Sequence, residues 1–173
     1  MLIGVNMHLL KVEMLTSDAD VIVITTNGFT KNNGEAVMGR GIAKQMAELV
    51  PDLPRLLGQR LVNFGNKVHM LGKYVPVLVS FPVKPKYVIN DGTNVVSHCK
   101  TSIGEQTAGF LAKADLSIIE QSCKELVELA NQHPEWNTIL VPKAGCGAGE
   151  LDWKDVEPIM KKYLDNRFIV CYK

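Results

Sequence analysis

Val21-Ile-Val-Ile-Thr25 has no polar position before its last residue. A strand formed here must therefore be covered on both faces, as a central strand of a helix-flanked sheet is. The rest of the chain offers the covering helices. The clearest helical period runs from about Ala114 to Gln132, with Leu116, Ile119, Cys123, Leu126 and Ala130 in register, and Pro134 ends it. A second stripe, Ile42, Ala43, Met46, Ala47, Leu49 and Val50, stops at Pro51, because the residue before a proline is pushed out of the α region. A short helix is expected over Pro54 to Arg60. Another should run from Trp153 to about Leu164, opened by Asp152 with Asp155 in its first turn. Pro158 removes one of its hydrogen bonds and is expected to kink it.

Further strands are expected over Ile3 to Glu13, Thr138 to Val141 and Arg167 to Tyr172, with Val68 to Leu71 and Tyr74 to Ser80 joined as a hairpin at Leu71-Gly72-Lys73. From Phe81 to about Gly109 no period is visible, so this segment is expected to cover a site or to be partly disordered. Alternating strands and helices imply an α/β fold, a three-layer α/β/α sandwich with a mixed sheet, and residues 1–173 read as a single domain.

Two loops carry glycines where such a fold places ligands, beyond the carboxyl ends of strands. Gly145, Gly147 and Gly149 stand at alternate positions between the strand ending at Val141 and the helix opened by Asp152. Exposed N–H groups leading into a helix N-terminus suit anionic oxygens. Met38-Gly-Arg-Gly41 leads into a helix in the same way, so two glycine-bearing turns are placed to clamp a diphosphate from both sides. A side-chain amide, Asn27, and a lysine, Lys84, each follow a predicted strand, the amide suited to a polyol and the lysine to a reacting end. Gly34 to Arg40 lacks the Lys-Ser/Thr pair of a P-loop, and Gly39-Arg-Gly41-Ile-Ala-Lys44 has lysine where a dinucleotide fold needs its third glycine.

The formal net charge of +1 leaves no broad cationic face for nucleic acid or acidic membranes. No apolar run approaches a membrane span, and Met1-Leu-Ile-Gly lacks the start of a signal peptide. Cys99, Cys123, Cys146 and Cys171 show no C-x-x-C spacing, which points to a reducing cytoplasm rather than to disulfides or zinc. Cys146 is expected to fill a tight turn, not to act as a nucleophile. His8, His69, His98 and His133 are isolated and read as structural or surface residues, so no metal site is expected.

Val21 to Asn27, Val37-Met-Gly-Arg-Gly-Ile-Ala43, Ser80-Phe-Pro-Val-Lys84, Asp115 to Leu129 and Pro142 to Trp153, in this order, carry a resemblance that spans nearly the whole chain. The sequence resembles the macrodomains, ADP-ribose-binding α/β/α modules, and most of all the branch holding the terminal ADP-ribose protein glycohydrolase and the antitoxin-type DNA ADP-ribosyl glycohydrolases. The resemblance implies a mostly parallel central sheet and no cofactor. It implies that Met38, Gly39, Arg40, Gly41, Ile42 and Ala43, with Ala144, Gly145, Cys146, Gly147, Ala148 and Gly149, form the two loops around the diphosphate of ADP-ribose. Asn27 should face the distal ribose, Phe81 and Pro82 should also contact the ligand, and Lys84 falls at the catalytic lysine acting on the anomeric carbon. Glu13 stands near the acid that contacts adenine, although Val12 replaces the usual preceding glycine.

The protein-directed enzyme keeps an aspartate where Gly149 stands here, with Glu150 shifted by one residue, and the antitoxin-type enzymes also have glycine there. Three readings follow: a hydrolase that removes ADP-ribose from a protein or nucleic acid, a module that only binds ADP-ribose, and a phosphatase acting on ADP-ribose 1″-phosphate. A monomer is the simplest reading.

Overall fold

The structure is a computed structural model that describes residues 7–11 and 18–172. Six strands form the main sheet: β1 (His8–Lys11), β2 (Val21–Thr26), β3 (His69–Met70), β4 (Val77–Pro82), β7 (Ile139–Pro142) and β8 (Phe168–Tyr172). Their order is β1-β8-β7-β2-β4-β3, and every pair is parallel except β3 with β4. The sheet is thus mixed and mostly parallel.

Strand β2 lies inside the sheet between β7 and β4, and its side chains divide between two cores. Val21 and Val23 pack on one face with Ile119, Cys123 and Leu126 of α3 (Leu116–Asn131) and Val156 and Met160 of α4 (Trp153–Tyr163). Ile22 and Ile24 pack on the other with Ala43 and Met46 of α1 (Gly41–Leu49) and Leu53, Leu57 and Leu61 of α2 (Leu53–Phe64). Successive strand residues point to opposite faces, which is why one apolar run without a gap serves both layers. Leu57, Ile119 and Leu126 are almost wholly enclosed, and burying each contributes roughly 1.5–3 kcal/mol. Asp115 caps α3 by accepting hydrogen bonds from Ser117 N at 2.8 Å and Ile118 N at 3.4 Å.

Several expectations are corrected. Helix α2 extends to Phe64, beyond Arg60. The hairpin pairs His69 with Ser80 and Met70 with Val79, so β4 begins at Val77 rather than Tyr74. Helix α4 continues past Pro158 to Tyr163, one residue short of the expected end. The segment after β4 is folded rather than irregular: β5 (Tyr87–Ile89) and β6 (Gln106–Ala108) pair antiparallel, and a 3-10 turn, Gly109–Leu111, follows. Its polar side chains hold it. Asn90 Oδ1 accepts from Gly92 N at 2.8 Å, Asn90 Nδ2 donates to Thr101 O at 3.0 Å, and Asn94 Nδ2 donates to Ile89 O at 2.9 Å. Phe29 packs edge-on against both Tyr87 and Phe110, anchoring the segment to the body. Glu13 lies outside the described residues. No helix among the described residues is long and apolar enough to cross a membrane.

Candidate functional site

Four parallel strands end at one cleft of about 600 Å³. Thr25 and Thr26 close β2, Pro142 closes β7, Cys171 and Tyr172 close β8, and Val83 and Lys84 follow β4; all line it. This is where an open parallel sheet leaves room for a ligand. Asn27, Met38, Gly39, Arg40, Gly41, Ile42, Ala43, Lys84, Gly145, Gly147, Ala148 and Gly149 are brought together along its walls.

The two glycine-bearing loops are its lips, and they divide their glycines by task. A Cβ on Gly39 or Gly147 would meet nothing within 4 Å, so both backbones face open space. Gly145 takes φ +74°, and a Cβ there would come within 2.9 Å of Ala114 and Ile119, so it serves the turn itself. Among the described residues, the N–H groups of Gly147, Ala148 and Gly149 donate to no other group. Helix α1 adds its N-terminus, with no side chain capping it and no acid in its first turn. Its free N–H groups and dipole favour an anion.

The second loop was expected to offer a helix N-terminus as well, and it does not. Asp152 Oδ1 already accepts from Lys154 N at 3.0 Å, and the start of α4 lies outside the cleft. Only the loop itself lines the cleft. Four residues expected in the site also lie outside the cleft lining. Phe81 is fully enclosed in the core, because alternation along β4 turns it toward α3. Pro82 is buried beside it as the last residue of that strand. Ala144 is fully buried, and Cys146 packs against that same core, its Sγ donating to Ala144 O at 3.4 Å.

Lys84 is a cation held almost out of water, with 7% of its surface exposed. Its Nζ donates to Phe110 O at 3.1 Å and to Ala148 O at 3.2 Å. Burial pushes its pKa below the usual lysine value, and Arg40 lowers it further while Glu150 opposes the shift. Among the described residues no carboxylate is hydrogen-bonded to it, and the two partners found are neutral carbonyls. Asn27 lines the cleft with its amide partly engaged. Nδ2 donates to Val37 O at 3.0 Å and Oδ1 accepts from Phe29 N at 2.9 Å, fixing the loop that leads to Met38. One N–H and one lone pair of that amide are left over.

Glu150 takes φ +61°, a left-handed conformation that costs a non-glycine residue about 1–2 kcal/mol. Its carboxylate accepts from Ser97 N at 3.0 Å and Ser97 Oγ at 3.0 Å. The Ser97 amide is the main reason that its carboxyl titrates below the usual glutamate range. His98, read from the sequence as a structural or surface residue, lines the cleft, and Arg40 Nη2 donates to its Nε2 at 3.4 Å. Phe110, Leu111, Lys143 and Tyr172 also line it and were not anticipated as site residues. Lys143 Nζ lies 4.5 Å from the Tyr172 ring and 5.2 Å from the Trp153 ring, so aromatic faces hold this cation. Tyr172 could have been found from the strand-end rule, since it ends a strand parallel to β7.

No protein-family model matches the sequence, and no curated protein matches it significantly. Solved structures do. The chain is similar to the macrodomain of Mycobacterium tuberculosis DarG, at 19% identity over 98% of this chain and 99% of that one, with a TM-score of 0.69. It is similar to the macrodomain of Thermus aquaticus DarG, at 20% identity over 96% and 97% and a TM-score of 0.62. It also matches Thermosipho africanus DarTG, solved in complex with ADP-ribose, at 18% identity and a TM-score of 0.65, covering 94% of this chain and 40% of that one. Sheet order, flanking layers and these whole-length likenesses agree: the chain has the macrodomain fold.

Proposed function

We propose that the cleft binds ADP-ribose and that the protein hydrolyses an ADP-ribosyl linkage on a macromolecule, with Lys84 acting at the anomeric carbon of the distal ribose. The observation that carries the reading is the pair of glycine lips, Gly39 and Gly147, which offer unhindered backbone to one cleft with Lys84 buried in its wall. A diphosphate needs many donors and little side-chain bulk, and free amides with a helix N-terminus supply that without a metal. Arg40 and Lys143 add positive charge to the same walls. Tyr172 with Pro142 offers a flat apolar patch suited to a base, while Asn27 and Lys84 suit the ribose at the reacting end.

Desolvation of Lys84 favours its neutral amine, the form that attacks carbon. Attack on the anomeric carbon would break its bond to the macromolecule, whose leaving atom takes up a proton. Water would then displace the lysine and release ADP-ribose. DarTG of Thermosipho africanus, similar in fold, was solved with ADP-ribose, which supports the choice of ligand.

One observation favours a second reading, a module that binds ADP-ribose without cleaving it. The carboxylate next to the second loop, Glu150, is committed to Ser97, and the hydrogen bonds of Lys84 go to backbone carbonyls. Calorimetry with ADP-ribose tests binding, and a panel of ADP-ribosylated glutamate, serine, thymidine and guanosine tests hydrolysis. The expected result is binding by the wild type and by Lys84→Ala within a few fold of each other, with turnover lost only in the variant. Binding without any turnover in the wild type would select the second reading. Affinity no better than for unrelated nucleotides would reject both.

A further inference from the structure

Two consecutive residues, Ser97 and His98, reach both lips of the cleft. Ser97 donates from its backbone N–H and its hydroxyl to the Glu150 carboxylate beside the second glycine loop, with contacts of 3.0 to 3.2 Å. His98 accepts from Arg40 of the first loop at 3.4 Å. Both ties cross long stretches of sequence, 53 residues in one case and 58 in the other. The corner that makes them is built on a folded base, since Val96 N donates to Leu111 O and Lys113 N donates to Asn94 O.

The backbone at Glu150 sharpens the point. A glycine would take φ +61° without strain. The strained residue present instead contributes a side chain whose hydrogen-bond partner is Ser97. Strain kept at the rim of a cleft points to use by the site rather than by the core. The contacts are exposed, so they can open without unfolding the sheet below.

We propose that Ser97 and His98 form a clasp that closes the cleft over the bound diphosphate and sets how fast ligand leaves, with Glu150 and Arg40 as its two anchors. The proposal rests on the ADP-ribose reading above. Glu150 is here a positioning residue; it does not touch the reacting atoms.

Stopped-flow binding of ADP-ribose to the wild type, Glu150→Gly, Ser97→Ala and His98→Ala tests it. Glu150→Gly should release ligand about tenfold faster, since such changes act mainly on dissociation, while its melting temperature stays level or rises as the backbone strain is relieved. His98→Ala should also speed release, and Ser97→Ala less so because its backbone N–H remains. Release at the wild-type rate from folded Glu150→Gly and His98→Ala would overturn the clasp. If the wild type binds no ADP-ribose, the functional reading falls and amide exchange at Ser97 decides the clasp separately. Exchange must then quicken in Glu150→Gly, and equal exchange in both proteins would sink it.

Discussion

Gly147 and Gly149 stand two residues apart in one loop and treat a methyl group in opposite ways. A Cβ on Gly149 would lie 2.6 Å from both the Ala114 Cβ and the Gly145 carbonyl oxygen, whereas one on Gly147 would meet nothing within 4 Å. Gly149→Ala should therefore cost roughly 1–3 kcal/mol of stability through overpacking, read as a lowered melting temperature. Gly147→Val should leave the melting temperature unchanged and weaken ADP-ribose at least about tenfold, or ~1.4 kcal/mol, by filling the space the diphosphate backbone contact requires. Unchanged affinity in Gly147→Val would mean that the phosphates lie elsewhere.

The division within this loop also shows what a sequence discloses and what it hides. Val21 to Ile24 announced a strand covered on both sides, and the spacing from Leu116 to Ala130 announced α3, because apolar periodicity is written directly in the residues. The glycines marked both lips. Neighbours in one motif need not line one cleft, since strand alternation and tight turns send them to opposite faces. Phe81 and Ala144 are core for that reason. The stretch from Phe81 to about Gly109 shows no period because Asn90, Asp91 and Asn94 fold its middle by side-chain to backbone bonds. His98 and Phe110 reach the cleft only through that fold, so neither could be placed beforehand.

Asn27 ties together the loop that runs from Phe29 to Met38 at the cleft wall. Its amide N–H donates to Val37 O and its oxygen accepts from Phe29 N. Asn27→Asp keeps the acceptor, loses the donor and brings a negative charge to the cleft wall. Stability should fall by about 1 kcal/mol, the net worth of one hydrogen bond. Affinity for ADP-ribose should fall further, because the added charge opposes the diphosphate. Thermal melts and calorimetry on one sample separate the two effects, and an affinity loss no larger than the stability loss would contradict the placement of Asn27 beside the ligand.

Cys146 sits in the second lip yet packs against the core rather than lining the cleft, and burial pushes its thiol up to about 11, with Lys143 pulling it down and Asp152 pushing it up. A thiol protonated at neutral pH is a poor nucleophile. Cys146→Ala should keep hydrolysis within about twofold of wild type, and iodoacetamide should label this position slowly at neutral pH. Loss of turnover in Cys146→Ala with ligand affinity intact would return the thiol to the list of reacting groups.

Lys84 gives the sharpest pH test. Its folded pKa is lowered, chiefly by burial, so the unfolded chain binds its proton more readily than the folded one. In the interval between the two values stability rises with pH, and Lys84→Met should flatten that rise in denaturant melts. If the neutral amine attacks the anomeric carbon, kcat/KM should climb with pH to a plateau whose midpoint lies below the ordinary lysine value. Bound diphosphate favours the charged amine, so the midpoint in kcat, which reports the complex, should lie above that in kcat/KM. Glu150 raises the Lys84 pKa, and Glu150→Gln should move both midpoints toward acid. A pH-independent rate, or midpoints that ignore Glu150→Gln, would remove the Lys84 amine from the chemistry.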